Sequence, residues 1–234
     1  MTQRVVITGA AQGLGAAIAR AFAAQGADLI LIDRDAEGLA QIAAQTHGLP
    51  LTCDLSDATQ TEAAIARFLP GPPVDTLIHN AAILHPEPID QVSLAMFAAT
   101  LNVGLQAGFQ LTRAVWPAMK QRGGALVFVS SQSGIKGFAD ETAYCAAKHG
   151  LEGFSKSLAL EGAAHGILSC TITPGKQMRT PMSERNYTPE AKAQWVEPAL
   201  LAPAFVHISQ SRDQGLNGQR LNAWDMSEQI RSAT

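Results

Sequence analysis

Tyr144 and Lys148 stand four residues apart in the stretch YCAAK. In a helix that spacing puts both side chains on one face, where they can meet the same ligand. A free tyrosine ionises near pH ~10, so near neutrality it is almost wholly in the wrong form to accept a proton. Lowering that value by about three pH units takes roughly 4 kcal/mol of preference for the phenolate. A lysine ammonium beside it, in a site shielded from water, is able to supply such a preference. Read by itself, the stretch fits two descriptions: a tyrosine made acidic by a cation, or a buried tyrosine with an unrelated surface lysine. Ser131 closes the apolar run ALVFVSS upstream of this pair. Ser130, one position earlier, should point to the opposite face of a strand.

A second stretch, TGAAQGLG at 8–15, follows an apolar run and opens a helical pattern. Gly9, Gly13 and Gly15 let the backbone turn tightly and let a phosphate approach a helix N-terminus, where unpaired N–H groups favour an anion. The next strand-like run ends in Asp33. An acid there can hydrogen-bond both hydroxyls of an adenosine ribose and would repel a 2′-phosphate. The plainer alternative is that Asp33 caps a helix beginning near Asp35.

These residues need elements to hold them. Strand-like runs occur at 4–8, 28–33, 49–53, 74–79, 125–130, 167–173 and 217–224, mostly apolar without clean alternation, as expected of strands buried on both faces. Helical patterns fall between them at 13–25, 35–46, 56–68, 103–121 and 142–164. The alternation predicts an α/β doubly wound Rossmann fold: a parallel sheet of about seven strands with helices on both faces. No repeat, low-complexity segment or linker breaks the 234 residues, so a single domain over 1–234 is expected. The one long irregular region, 174–198, contains Pro181, Pro189 and Pro198 after Pro174 and reads as a lid or binding loop.

Composition narrows the classes. The chain is 47% apolar and 16% charged, which suits a compact soluble protein. A net charge of -3 gives no electrostatic case for nucleic acid. No run of about 18 apolar residues suggests a membrane span, and Met1 to Arg4 lead straight into Val5-Val6-Ile7 without the pattern of a secretory leader. Cys53, Cys145 and Cys170 are scattered without metal-ligand spacing, as expected of reduced thiols in a cytoplasmic protein.

Taken together, the chain resembles a short-chain dehydrogenase/reductase of the single-domain type over nearly its whole length. The turn has that family's Gly-x3-Gly-x-Gly spacing, with Gln12 and Leu14 inside it. CDL at 53–55 resembles the family's adenine-contacting acid, here Asp54 followed by Leu55. HNAA at 79–82 resembles its Asn-Ala-Gly motif, with Asn80, Ala81 and with Ala82 in place of the usual glycine. Ser131, thirteen residues before Tyr144, has the spacing of the catalytic serine, and Asn102 in LNVG matches the asparagine completing a tetrad with Tyr144 and Lys148.

The resemblance implies oxidation of a secondary alcohol to a ketone, reversibly, with NAD as cofactor and no metal. Asp33, and Gln12 where the family's NADP-binding members often carry a basic residue, favour NAD; Arg34 is the complication. Tyr144 would move the alcohol proton. Lys148 would hold the nicotinamide ribose and acidify Tyr144, while Ser131, with Ser133 nearby, would hold the substrate oxygen. Asn102 would hold a water linking Lys148 to solvent. Pro174, Gly175 and Thr180 would line the nicotinamide face, although four residues separate Gly175 from Thr180 where the family usually has three. Arg179, near Lys176 and Arg185, has two readings: solvated loop charges or neighbours of the NAD pyrophosphate, or partners for an anionic group on a small polar substrate (sugar, polyol or hydroxy-acid-like), such as a hydroxy acid or acidic sugar. The resemblance also implies a homo-oligomer, a tetramer or dimer packed through 103–121 and 142–164 and through the C-terminal strand. Two other readings stand beside it: an NADPH-dependent carbonyl reductase, and a non-catalytic NAD-binding sensor, which would be expected to have lost part of the tetrad.

Overall fold

Seven strands rich in Val, Ile and Leu pair in parallel to form the centre of the molecule. The computed structural model describes residues 2–186, 192 and 194–233. The strands are β1 (Arg4–Thr8), β2 (Asp28–Asp33), β3 (Leu49–Thr52), β4 (Thr76–His79), β5 (Gly124–Val129), β6 (Ile167–Thr173) and β7 (Arg220–Asn222). Their order across the sheet is β3-β2-β1-β4-β5-β6-β7. Every residue of β1, β4, β5 and β6 is buried, which explains why their sequences lack alternation. The order reverses between β1 and β4, and loops leaving the carboxyl ends of these strands diverge to leave a crevice.

Helices cover both faces. Helices α1 (Gly13–Ala23) and α2 (Ala36–Thr46) pack Ile18, Phe22, Leu39 and Ile42 with Val5, Ile7 and Leu31 of the sheet. Helix α3 (Ala58–Phe68) packs Ile65 and Phe68 on the opposite face with Val6, Ile30 and Leu77. Each such side chain, fully buried, contributes about 1.5–3 kcal/mol. Helix α4 (Leu94–Leu101), capped by the Ser93 side chain, runs through a π-helical segment, Asn102–Gln106, into α5 (Ala107–Arg122). Helix α6 (Thr142–Gly162) follows β5, and α7 (Pro181–Asn186), α8 (Ala202–Ser211) and α9 (Ala223–Ser232) complete the described helices.

The structure departs from the periodicity reading in several places, the short helix α7 within the expected loop among them. The helix expected over 103–121 begins at Leu94, making a continuous 29-residue helical stretch long and apolar enough by composition to cross a bilayer. Its Val103, Ala107, Leu111, Val115 and Met119 pack into the core beside the sheet, and Asn102, Gln106 and Gln110 interrupt its apolar run. The strand expected over 217–224 is limited to Arg220–Asn222: the Asn222 side chain accepts from Trp224 N and Asp225 N, starting α9. Helix α8 is not singled out by the sequence reading, because Pro198 and Pro203 punctuate its start. Its Ala204, Phe205 and Ile208 nevertheless enter the core at helical spacing. Of the loop expected over 174–198, residues 187–191 and 193 lie outside the described residues.

Candidate active site

The glycine turn joins the end of β1 to α1 at the centre of the crevice. Gly9 has φ +65, a left-handed conformation that favours glycine. At Gly15 a Cβ would stand 2.0 Å from the Gly9 carbonyl oxygen, so the two segments touch only because no side chain intervenes. Gln12 precedes α1 without a side-chain cap, leaving the N–H groups of the first turn without that partner. Asn80 holds the turn from β4, its Nδ2 donating to the carbonyls of Thr8 (3.2 Å) and Gly9 (3.1 Å).

Asp33 ends β2 beside this turn. One carboxylate oxygen accepts from Ala11 N and the other from Asp35 N, both at 3.0 Å. The cap of α2 is Asp35, which accepts from Gly38 N, so helix capping does not account for Asp33.

Tyr144 and Lys148 share a face of α6, with the Lys148 Nζ 5.5 Å from the centre of the Tyr144 ring. Lys148 is 2% exposed and donates to the Val129 carbonyl at 2.6 Å. Burial lowers its pKa to about 8, while the nearby Glu152 carboxylate pulls it back up. Ser131 follows β5; its Oγ accepts from Ser133 N at 3.2 Å, and Ser133 Oγ donates to the Glu141 carboxylate at 2.8 Å. Ser130 turns to the opposite side and donates to buried Glu152. Asn102 opens the π-helical segment, a local irregularity frequent at functional sites, and its Nδ2 donates to the Ser56 carbonyl at 2.9 Å.

His79 ties these parts together beneath the crevice. Its Nε2 lies 3.0 Å from the Val103 carbonyl, an acceptor, so this nitrogen carries the proton. Its Nδ1 therefore accepts from Thr8 Oγ1, also at 3.0 Å, and that hydroxyl in turn accepts from Asn80 N and Ala81 N. Burial is the main cause lowering the His79 pKa to about 4, with the Lys148 charge adding to it. An unfolded histidine titrates near pH ~6.5. Above that value neither state binds the proton and the full stability is present. Between the two values only the unfolded chain binds it, so acidification should cost about 3 kcal/mol of stability by pH ~4. Denaturant melts at pH 7 and 4.5 should differ more for the parent than for His79→Gln; equal differences would refute the assignment.

These elements surround a cavity of about 580 Å³. Gly9, Gln12, Gly13, Leu14, Asp33, Arg34, Asp54 and Leu55 line one part, and Asn80, Ala81 and Ala82 continue the wall. Ser131, Ser133, Tyr144, Lys148, Pro174, Gly175 and Thr180 line it as well. Thr180 stands against the glycine turn: a Cβ on Gly13 would lie 3.2 Å from its methyl carbon. Its hydroxyl accepts from Ser183 N at 3.1 Å. Gly15 and Asn102, expected at the site, are not among the lining residues, whereas Val103, next to Asn102, faces the cavity. Arg179 is not brought in. It is exposed and pairs with Glu197 at 3.2 Å, while Lys176 and Arg185 reach the lining. Glu141 is a lining residue the sequence reading missed, although it precedes Tyr144 by three positions, close to one helical turn. Among the described residues no cluster of His, Cys, Asp or Glu could hold a metal.

A family model for the short chain dehydrogenases matches residues 3–191. The chain belongs to the short-chain dehydrogenase family. Among relatives of this short-chain dehydrogenase, D-threitol dehydrogenase of Mycolicibacterium smegmatis is 36% identical over 153 residues, covering 61% of this chain and 58% of the relative. The match thus spans less than two thirds of that relative's length. L-xylulose reductase of Mus musculus is 33% identical over 194 residues, covering 82% of this chain and 78% of the relative. A crystal structure of a candidate NAD(P)-dependent gluconate 5-dehydrogenase from Beutenbergia cavernae, with NADP bound at low occupancy, superposes with a TM-score of 0.87 at 26% identity. The superposition covers 95% of this chain and 96% of that one. Short-chain dehydrogenases bind a nicotinamide cofactor, and the residues present fit one: a bare glycine turn at an uncapped helix start, with a carboxylate at the end of the next strand.

Proposed function

We propose that this chain is an NAD-dependent oxidoreductase that interconverts a secondary alcohol and a ketone on a small, uncharged, polyhydroxylated substrate. One observation carries the reading: Tyr144, Lys148 and Ser131 line the same cavity as the glycine turn and Asp33. A bound nicotinamide dinucleotide supplies the hydride acceptor, or the donor in reverse. Tyr144 takes the proton of the alcohol and returns it to the ketone. Lys148 holds the nicotinamide ribose hydroxyls, and its charge favours the phenolate. Ser131 hydrogen-bonds the substrate oxygen and steadies its changing charge. Asn102 holds a water linking Lys148 to solvent, a role taken from the family resemblance. Residues 1–234 act as one nucleotide-binding domain, with 174–198 as its substrate loop. The protein acts in the cytoplasm, and the exposed Leu94, Phe109 and Leu160 suit assembly as a tetramer or dimer.

Features of the lining support this substrate class. Arg179 lies outside the cavity and pairs with Glu197; Lys176 and Arg185 do reach the lining, Lys176 with its Nζ 5.6 Å from the centre of the Trp224 ring, whereas Ser133 and Glu141 offer hydroxyl and carboxylate partners within it. Such groups suit the hydroxyls of a polyol or sugar, and the relatives named for D-threitol and L-xylulose support that choice. The test is a screen of purified protein with NAD+ against polyols, sugars, hydroxy acids, cyclic alcohols and steroids, following NADH absorbance. A neutral polyol or sugar should turn over best. Arg179→Ala should leave KM for that substrate within about twofold, since an exposed ion pair at the surface contributes little. A hydroxy acid as best substrate, with KM rising steeply in the variant, would reverse the substrate choice. An NADPH-dependent carbonyl reductase is the second reading, favoured by Arg34 in the lining. Turnover with the two nucleotides separates them.

A further inference from the structure

An ion pair between a buried carboxylate and a partly buried guanidinium lies behind the strand end that carries Ser131. Glu152 stands on α6, one helical turn beyond Lys148, and is 5% exposed. One of its oxygens accepts from Ser130 Oγ and from Arg220 Nε, the latter at 3.1 Å. The other accepts from Thr171 Oγ1 at 2.8 Å. Arg220, on β7, also donates through Nη2 to the Ser131 carbonyl at 3.0 Å. Neither charged residue lines the cavity.

Stability alone does not explain such a pair, because apolar residues of similar volume often hold a fold as well or better. What apolar residues cannot do is fix polar atoms in place. The Ser130–Ser131 segment is gripped from three sides: Glu152 holds the Ser130 hydroxyl, Arg220 the Ser131 carbonyl, and Ile172 accepts from Ser130 N at 2.8 Å. Lys148 grips the preceding carbonyl, that of Val129.

We propose that Glu152 and Arg220 are positioning residues for the reaction: together they fix Ser131 at the end of β5, and Glu152, one helical turn from Lys148, supplies a counter-charge to its buried ammonium. The proposal rests on the roles given above to Ser131, Tyr144 and Lys148. Among the described residues, few charges surround Lys148. Tyr144 and Glu152 face it from α6, and His79 reaches it from β4 but stays neutral above about pH 4. Arg220 acts on it from β7 through Glu152, and β5 presents the Val129 carbonyl. Glu152 therefore opposes the burial that favours loss of the Lys148 proton.

The two partners should shift Lys148 in opposite directions, which a merely structural role would not do. The Lys148 titration can be followed through its Cε signal by carbon-13 NMR on protein without added nucleotide. Glu152→Gln should move the midpoint down by about one pH unit or more, and Arg220→Gln should move it up. Glu152→Asp, which keeps the charge, should stay close to the parent. With the Ser131 carbonyl released, Arg220→Gln should also lower kcat by about tenfold or more. NADH affinity, measured by fluorescence, should remain within about twofold of the parent. Arg220→Gln leaves Glu152 with two hydroxyl donors and the Lys148 charge, so it carries the test alone where Glu152→Gln does not fold. A Lys148 midpoint unmoved in the variants that fold, or an unchanged kcat in Arg220→Gln, overturns the proposal. The reading beneath it is judged separately by Tyr144→Phe, whose retained turnover would remove the tyrosine as base without touching the NMR result.

Discussion

Tyr144→Phe should lower turnover by between about 10² and 10⁴-fold, the range a positioned general acid–base contributes. NADH binding, followed by fluorescence titration, should stay within about twofold. The contrast follows from what the substitution removes. The ring keeps its place on α6 beside Lys148, and only the phenolic oxygen is lost. Lys148→Ala should behave differently and lose both turnover and cofactor affinity. That side chain is buried and bonded to the Val129 carbonyl, so its removal leaves a cavity and an unpaired acceptor as well as a missing charge. A tyrosine variant turning over near the parental rate would require another base, and Glu141, bonded to Ser133 in the same lining, would be the first to examine.

The parts of the site legible in the sequence are those built from local chain. The glycine turn, Asp33 and the Tyr144–Lys148 pair each lie on one element or at one strand end, so spacing along the chain is also spacing in space. The sheet is legible for a related reason: strands buried on both faces are written as continuous apolar runs, such as RVVIT at 4–8. What escapes the sequence depends on distant chain. Glu152 and Arg220 are 68 residues apart, and only the pairing of β6 with β7 brings them together. Arg179 illustrates the opposite failure. Its position in the sequence suggests the cavity, but Arg179 N donates to the Val196 carbonyl and its side chain turns to Glu197, outside the lining. The π-helical segment at Asn102 is invisible for a third reason: its composition is that of an ordinary helix, and the extra residue in the turn shows only in the backbone.

The charge of Asp33 is expected to set the nucleotide preference, and Asp33→Asn is the variant that isolates it. Asp33 does two things: it presents a carboxylate to the cavity, and it accepts from Ala11 N within the glycine turn. Asp33→Ala would remove both, so a loss of NAD binding in that variant would not distinguish repulsion from a loosened turn. An asparagine keeps one acceptor oxygen for Ala11 N, while Asp35 N, at an exposed position, can turn to water. The glycine turn keeps its acceptor, and what is lost is the charge and one acceptor oxygen. Two opposite unit charges or two like charges about 4 Å apart interact by about 4 kcal/mol at the effective dielectric of a protein surface, and salt screening reduces this further. Relief of that repulsion should raise kcat/KM with NADP relative to NAD by about 10²-fold. Arg34, exposed at the same edge of the cavity, should then pair with the 2′-phosphate, so adding Arg34→Ala to Asp33→Asn should withdraw part of the gain. The measurement is kcat/KM with each nucleotide at fixed ionic strength for the parent, the single variant and the double variant. If Asp33→Asn discriminates against NADP as strongly as the parent, charge repulsion is not the origin of the preference; the shape of the pocket formed by Gln12, Arg34 and Leu55 would have to supply it.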